Sequence, residues 1–152
     1  MIKKDILFNI LKILFMKKII NVEWLDNHSE KKYLLFTFEF AKHLTPSMYG
    51  YKRRTEVLRD AVMELEVFAN YSYWFSDGVM TFDKEFLDRF GQQDGKKVIE
   101  LNSKAGWIDV LEEDSQICTI KLNKEKVEKD LQLPGYFQNL YEEMDRQGFK
   151  RE

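Results

Sequence analysis

Apolar residues recur at helical spacing through most of the chain and alternate in two places, and that change of period is the first guide to its fold. Asp5 caps an expected helix to about Ile20, with Ile6, Leu7, Ile10, Leu11, Leu14 and Phe15 on one stripe and Ile13 and Met16 widening it. A helix apolar over so much of its circumference must be enclosed by its own domain or by another chain. A second helix is expected from about Glu30 to Leu44, ending before Pro46, although Thr37, Phe38, Glu39 and Phe40 would also suit a strand. Thr45 to Arg54 reads as a loop. From Thr55 to about Tyr71, Leu58, Ala61, Val62, Leu65, Phe68 and Ala69 share one face and define the clearest helix. Tyr71, Tyr73 and Phe75 then alternate up to Asp77-Gly78 and Val79 to Phe82 leads away, the pattern of a short hairpin. Asp83 is placed to cap a helix ending near Gly91.

Between Lys96 and Leu122 the pattern is denser. Lys96 to Ala105 suits a helix with Val98, Ile99 and Leu101 inward, closed by Gly106 in the left-handed position. Trp107, Ile108 and Val110 start a strand, Glu112 to Ser115 form a turn, and Ile117 to Leu122 return with Cys118, Ile120 and Leu122 on one face. This order of helix, glycine stop, strand, polar tip and return strand resembles the recognition helix and wing of winged-helix domains. A three-stranded meander beginning at Val98 to Leu101 accounts for the same residues. Beyond Asn123, a candidate cap, come a short charged helix from Lys124 to Leu131 and, after Pro134-Gly135, a last helix. Tyr136, Phe137, Leu140, Tyr141 and Met144 form its stripe and Gly148 its stop.

No repeat or Gly/Ser linker divides the chain, so residues 1–152 read as a single domain: a helical part (1–75), a winged-helix-like part (76–123) and C-terminal helices (124–152). The expected class is α+β, mostly α, with a small β-hairpin and a winged-helix-like element in the C-terminal half. At 152 residues, with 44% hydrophobic and 14% aromatic residues, the chain has ample material for one core. The lone Cys118 excludes an internal disulfide or a cysteine zinc cluster and suits a reducing compartment, so a cytoplasmic location is expected. Its Lys, Asn, Ile and Phe content suggests a low-GC bacterial or phage source. The run Ile6 to Met16 is interrupted by Asn9 and Lys12, lacks a small-residue cleavage site and is too short to span a bilayer, which takes about 20 apolar residues.

Catalytic chemistry finds little support. Cys118 falls on an apolar strand face, and His28 and His43 have no second ligand at metal-binding spacing. No phosphate-binding GxxxxGK[ST] loop, GxGxxG turn or GxSxG elbow occurs. Asp83, Glu85 and Asp88 read as a first-turn charge bias and a solvated face. A small enzyme using a carboxylate and His43 is the least supported class, and no cofactor, metal or catalytic residue is expected.

Binding is the better reading. Lys52, Arg53 and Arg54 follow Met48, Tyr49 and Tyr51 in one loop, interleaving cationic and aromatic groups as at protein hot spots or nucleic-acid contacts. Tyr49, Tyr51, Arg53 and Arg54, with Tyr73, Trp74, Tyr136, Phe137 and Tyr141 from the aromatic clusters, are the candidate partner-binding residues. A DNA-reading helix would instead use Lys96, Lys97, Asn102, Ser103 and Lys104, with Asn102 on adenine and the lysines on phosphate. Against this stand the net charge of -2 and the carboxylates Glu112, Glu113 and Asp114 at the wing tip. Each would repel a phosphate by about 1 kcal/mol per close pair in water. The leading expectation is a non-catalytic accessory subunit of a larger intracellular assembly, bound to a protein partner in a hetero-complex or homodimer. Protein-binding winged-helix modules occur, as the resemblance implies, in subunits attached to ATPase machines and in regulators. The alternative is a winged-helix DNA-binding transcriptional regulator, dimeric through the Ile6 to Phe15 face.

Overall fold

The computed structural model describes residues 19–28, 37–88 and 95–151. Within them the chain is mostly helical, with one small mixed sheet of four strands. Strand β1 (Ile19–Ile20) leads into α1 (Val22–His28). Helix α2 (Glu39–His43) is followed by a 3-10 turn, Pro46–Tyr49, and by the long helix α3 (Glu56–Tyr71). A second 3-10 turn, Ser72–Trp74, precedes β2 (Val79–Asp83), α4 (Lys84–Asp88) and α5 (Gly95–Lys104). A hairpin of β3 (Ile108–Glu113) and β4 (Ile117–Leu122) follows, then α6 (Lys124–Leu131) and α7 (Tyr136–Arg146). No helix among the described residues is long and apolar enough to cross a membrane.

The sheet order is β1-β2-β4-β3, with β1 parallel to β2 and the other two pairings antiparallel. Met80 and Phe82 of β2 and Cys118, Ile120 and Leu122 of β4 are buried, and Phe68 and Tyr71 of α3 pack against Phe82 at ring separations of 5.2 and 6.0 Å. Each such side chain contributes roughly 1.5–3 kcal/mol by leaving water. Thr81 and Thr119 face each other across the β2–β4 pair, and their hydroxyls bond at 2.9 Å, which satisfies two polar groups inside the core.

Most elements form where periodicity places them. Thr55 caps α3 by accepting from the Leu58 N–H at 3.2 Å, and Asp83 accepts from the Glu85 N–H at 3.1 Å at the start of α4. Gly106 ends the α5 segment at φ 82°, a conformation its lack of Cβ allows. The segment 95–104 is helical, which rejects the meander beginning at Val98. Four boundaries differ. Ile19 and Ile20, the expected end of the first helix, form strand β1, and residues 5–18 lie outside the described residues. Of the second expected helix only Glu39–His43 is described as helical, preceded by Phe38 in the left-handed region. The hairpin tip begins at Asp114, whose carboxylate accepts from the Gln116 and Ile117 N–H groups at 2.7 and 2.8 Å, so Glu112 and Glu113 belong to β3. Asn123 stands at the N-cap of α6, but its side chain accepts no bond there; its amide donates to the Gly106 carbonyl at 2.8 Å instead.

The expected hairpin of Tyr71 to Phe75 with Val79 to Phe82 does not form. Residues 72–74 continue the end of α3 as a 3-10 turn, and β2 pairs with β1 and β4 instead. The alternating aromatic residues go to different neighbours: Tyr71 packs on Phe82 and Phe86, Phe75 on Trp24 of α1, and Tyr73 on α7 and the segment beyond it. Ser72 Oγ lies 2.6 Å from the Tyr141 hydroxyl, and the Tyr73 and Tyr141 rings meet edge to face at 6.0 Å. Tyr73 donates its hydroxyl to the Phe149 carbonyl at 2.9 Å, the Trp74 indole donates to the Lys150 carbonyl at 2.9 Å, and Arg151 covers both tyrosines. The two aromatic clusters meet at Tyr73 and Tyr141.

A polar tie crosses the core. Asn102, fully buried on α5, donates from its amide to the Ala61 carbonyl of α3 at 3.1 Å and accepts from the Tyr49 hydroxyl at 3.3 Å. The amide orientation is dictated, since a carbonyl only accepts. Replacing Asn102 by Ala leaves that carbonyl and the Tyr49 hydroxyl without this partner and opens a void. A loss of about 2–3 kcal/mol in chemical denaturation is expected, against under about 1 kcal/mol for the exposed Lys104→Ala.

Candidate functional site

An apolar cleft of about 440 Å³ opens between α2, the 3-10 turn Pro46–Tyr49 and the first half of α3. Leu44, Tyr49 and Leu58 form its buried floor, and Ala41, Val62 and Met63 stand along its sides. Phe38 at its lip is 56% exposed and Met63 42%, two of the few large apolar side chains that the fold leaves in water. Arg54, Arg59 and a single carboxylate, that of Glu56, also line the cleft.

Local conformation explains why Phe38 stands where it does. Its backbone is left-handed at φ 56° and ψ 22°, which an L residue with a ring at Cβ adopts at a cost of about 1–2 kcal/mol. The Phe38 N–H donates to Glu66 Oε2 on α3 at 3.2 Å. Burial raises the Glu66 carboxyl above its ordinary pKa, while the N–H groups at the start of α2 pull the other way. This tie clamps α2 to α3 and sets the width of the cleft. Tyr49, bonded to Asn102 and packed edge to face on Trp107 at 4.9 Å, fixes the floor from the other side.

The structure distributes the predicted site residues unevenly. Tyr49 and Arg54 line the cleft; Arg53 is exposed beside it, and Tyr51 is half-buried in the same loop. Tyr73 and Phe137 are core residues at 3% and 4% exposure, and Trp74, Tyr136 and Tyr141 are partly covered by the contacts within the chain. Burial withdraws Tyr73 and Phe137 from the candidate partner-binding residues, while Trp74, Tyr136 and Tyr141 keep part of their surface exposed. On α5, Lys96 and Lys104 are exposed and Lys97 pairs with Glu100 at 3.9 Å. Asn102 is withdrawn from the proposed base-reading face, because its amide is committed inside the core. Phe38, Ala41 and Met63 were not singled out from the sequence. The one available signal was Met63, an apolar residue beside, rather than on, the stripe of α3.

The other titratable candidates have ordinary partners within the fold. Cys118 is buried and its thiol is pushed up to about 11, chiefly by loss of water. His43 lies 3.1 Å from Glu39 within its own helix turn. No cluster of histidine, cysteine or carboxylates suited to a metal ion exists among the described residues. Glu64 on α3 is different: it is 2% exposed, neither carboxyl oxygen has a hydrogen-bond partner, and burial, reinforced by Asp60 and Asp88, pushes it up to about 8.

Two outcomes follow from these environments. Because Glu64 binds its proton more tightly folded than unfolded, its stabilising contribution is present below its ordinary value of 4.5 and is lost as pH rises to about 8. Glu64→Gln is expected to flatten the melting temperature between pH 5 and pH 8 and to stabilise the chain at pH 8 by at least about 1 kcal/mol. Phe38→Asn, with a residue that tolerates the left-handed region, is expected to keep stability within about 1 kcal/mol in the same melts. The chain matches no known family model, no curated protein and no solved structure, so its cleft and surfaces are read from their own chemistry.

Proposed function

We propose that the chain is a non-catalytic interaction subunit of a larger cytoplasmic assembly, and that it engages a protein partner through the cleft between α2 and α3. One observation carries this reading: Phe38 and Met63 remain exposed at the mouth of an apolar cleft with an arginine on its border. Aromatic residues, methionine and arginine around an apolar centre make up the composition of protein interfaces. The backbone strain kept at Phe38 fits such a role, since strained conformations gather at ligand-contacting positions.

The succession β2, α4, α5, β3, β4, with β4 seated between β2 and β3, supports reading residues 76–123 as a winged-helix-like element. It also favours a second reading, a DNA-binding regulator that presents Lys96 and Lys104 of α5 to phosphate. Charge weighs against that reading. The hairpin exposes Asp109, Glu112, Glu113 and Asp114, and Lys84 is drawn to Glu113 at 2.8 Å, so the wing presents a repelling surface to a duplex.

The test is a purification of the tagged chain from its native cells, with and without nuclease, in three versions: wild type, Met63→Glu, and Lys96→Glu with Lys104→Glu. A nuclease-resistant stoichiometric protein that is lost only with Met63→Glu is expected. Nuclease-sensitive recovery that is lost only with the lysine variant would replace this reading with the DNA-binding one.

A further inference from the structure

We infer that the cleft receives an amphipathic helix of a partner protein with acidic side chains along one flank, an inference that rests on the docking role proposed above. The shape of the ligand follows from the walls. Most of the lining comes from α2, α3 and the intervening 3-10 turn, whose main chains bond within themselves, so it offers a largely apolar surface and no strand among the described residues that line it. An extended peptide entering it would lose water from its backbone without gaining partners there. A helix brings its main chain already satisfied and presents apolar side chains at i, i+3, i+4 and i+7, which suits a groove of this kind.

The charge follows from the rim. Lys52, Arg53 and Arg54 are consecutive and exposed, and none has an ion-pair partner among the described residues. Arg59, on the same side, lies 3.9 Å from Asp60 and is itself largely exposed. In a chain with a net charge of -2, Arg54 and Arg59 line the apolar cleft with Glu56 as the one carboxylate among the lining residues, and Lys52 and Arg53 adjoin Arg54 in the chain, so cations outnumber carboxylates there and complement acidic groups on the flank of an incoming helix. The same cations suit phosphate, but the apolar floor gives a nucleic-acid backbone nothing to bind, so a protein helix is the better fit.

The experiment is selection of helix-stabilised peptides from a displayed library on the full chain, with Met63→Glu as the counter-selection target. Circular dichroism first establishes that this variant is folded. Enriched peptides are expected to carry apolar residues at helical spacing with net negative charge, and to lose about tenfold in affinity on an Arg53→Glu, Arg54→Glu double variant. Enrichment of cleft-dependent peptides that are neutral or basic, or that are indifferent to the arginine reversal, would overturn the acidic-helix inference and leave the docking role standing. Failure to enrich any cleft-dependent peptide would overturn both. Displacement of the selected peptides by a short single-stranded DNA would show that the rim serves phosphate.

Discussion

The buried amide of Asn102 is the constraint on which the arrangement of this chain turns. Through it α5 is tied to the main chain of α3 at Ala61 and to the 3-10 turn at Tyr49, both distant from it in sequence. In an interior without water each of these bonds must be made, because an unpaired buried amide or hydroxyl costs about 1–3 kcal/mol. The position of Tyr49, and with it the floor of the cleft, is therefore specified and not merely filled. Trp107 extends the tie: its ring supports Tyr49, its indole donates to Asp130 of α6 at 2.9 Å, and its carbonyl holds the N–H of Asn123 at 2.9 Å.

Against that frame the distribution of apolar surface becomes informative. The chain is rich in aromatic residues, yet Tyr73 and Trp74 are covered by Tyr141 of α7 and by Phe149 beyond it. Among the described residues the large apolar groups left in water are Phe38 and Met63 at the cleft, Met48 on the adjoining 3-10 turn, Val110 and Leu111 on the hairpin, and Val22 on α1. The hairpin pair sits on an edge strand whose register shifts between Val110 and Glu112 and whose next residues are carboxylates, the usual guards against edge pairing. The cleft has Glu56 as the one carboxylate among its lining residues, beside Arg54 and Arg59, and this pairing of exposed apolar groups with cations is what supports the proposed docking role.

Element type was legible in the sequence wherever periodicity was long or punctuation was sharp. α3 has its Thr55 cap and four turns of stripe, and the α5 to β4 segment has Gly106 and an alternating return strand; both stand close to where pattern places them. Pattern failed where two explanations share one period. Tyr71, Tyr73 and Phe75 alternate like a strand, but a 3-10 turn packed between layers also sends successive rings to different neighbours. Asn102 reads as a polar residue on a basic helix, and only the tertiary approach of Ala61 and Tyr49 turns it inward. The cleft itself was half legible: Tyr49 and Arg54 were visible in an aromatic and basic loop, while Phe38 and Met63 come together only when α2 crosses α3. No local signal reports how two consecutive helices cross.

The central claim is that the α2–α3 cleft, and not the α5 and hairpin face, is where this chain meets its partner. Hydrogen–deuterium exchange of the free chain and of its purified complex separates the two faces directly, because they occupy different peptides. The account predicts new protection in residues 38–49 and 55–63 with no change in residues 96–104 and 108–117. Protection confined to the latter two segments, with the cleft peptides exchanging as in the free chain, would contradict it.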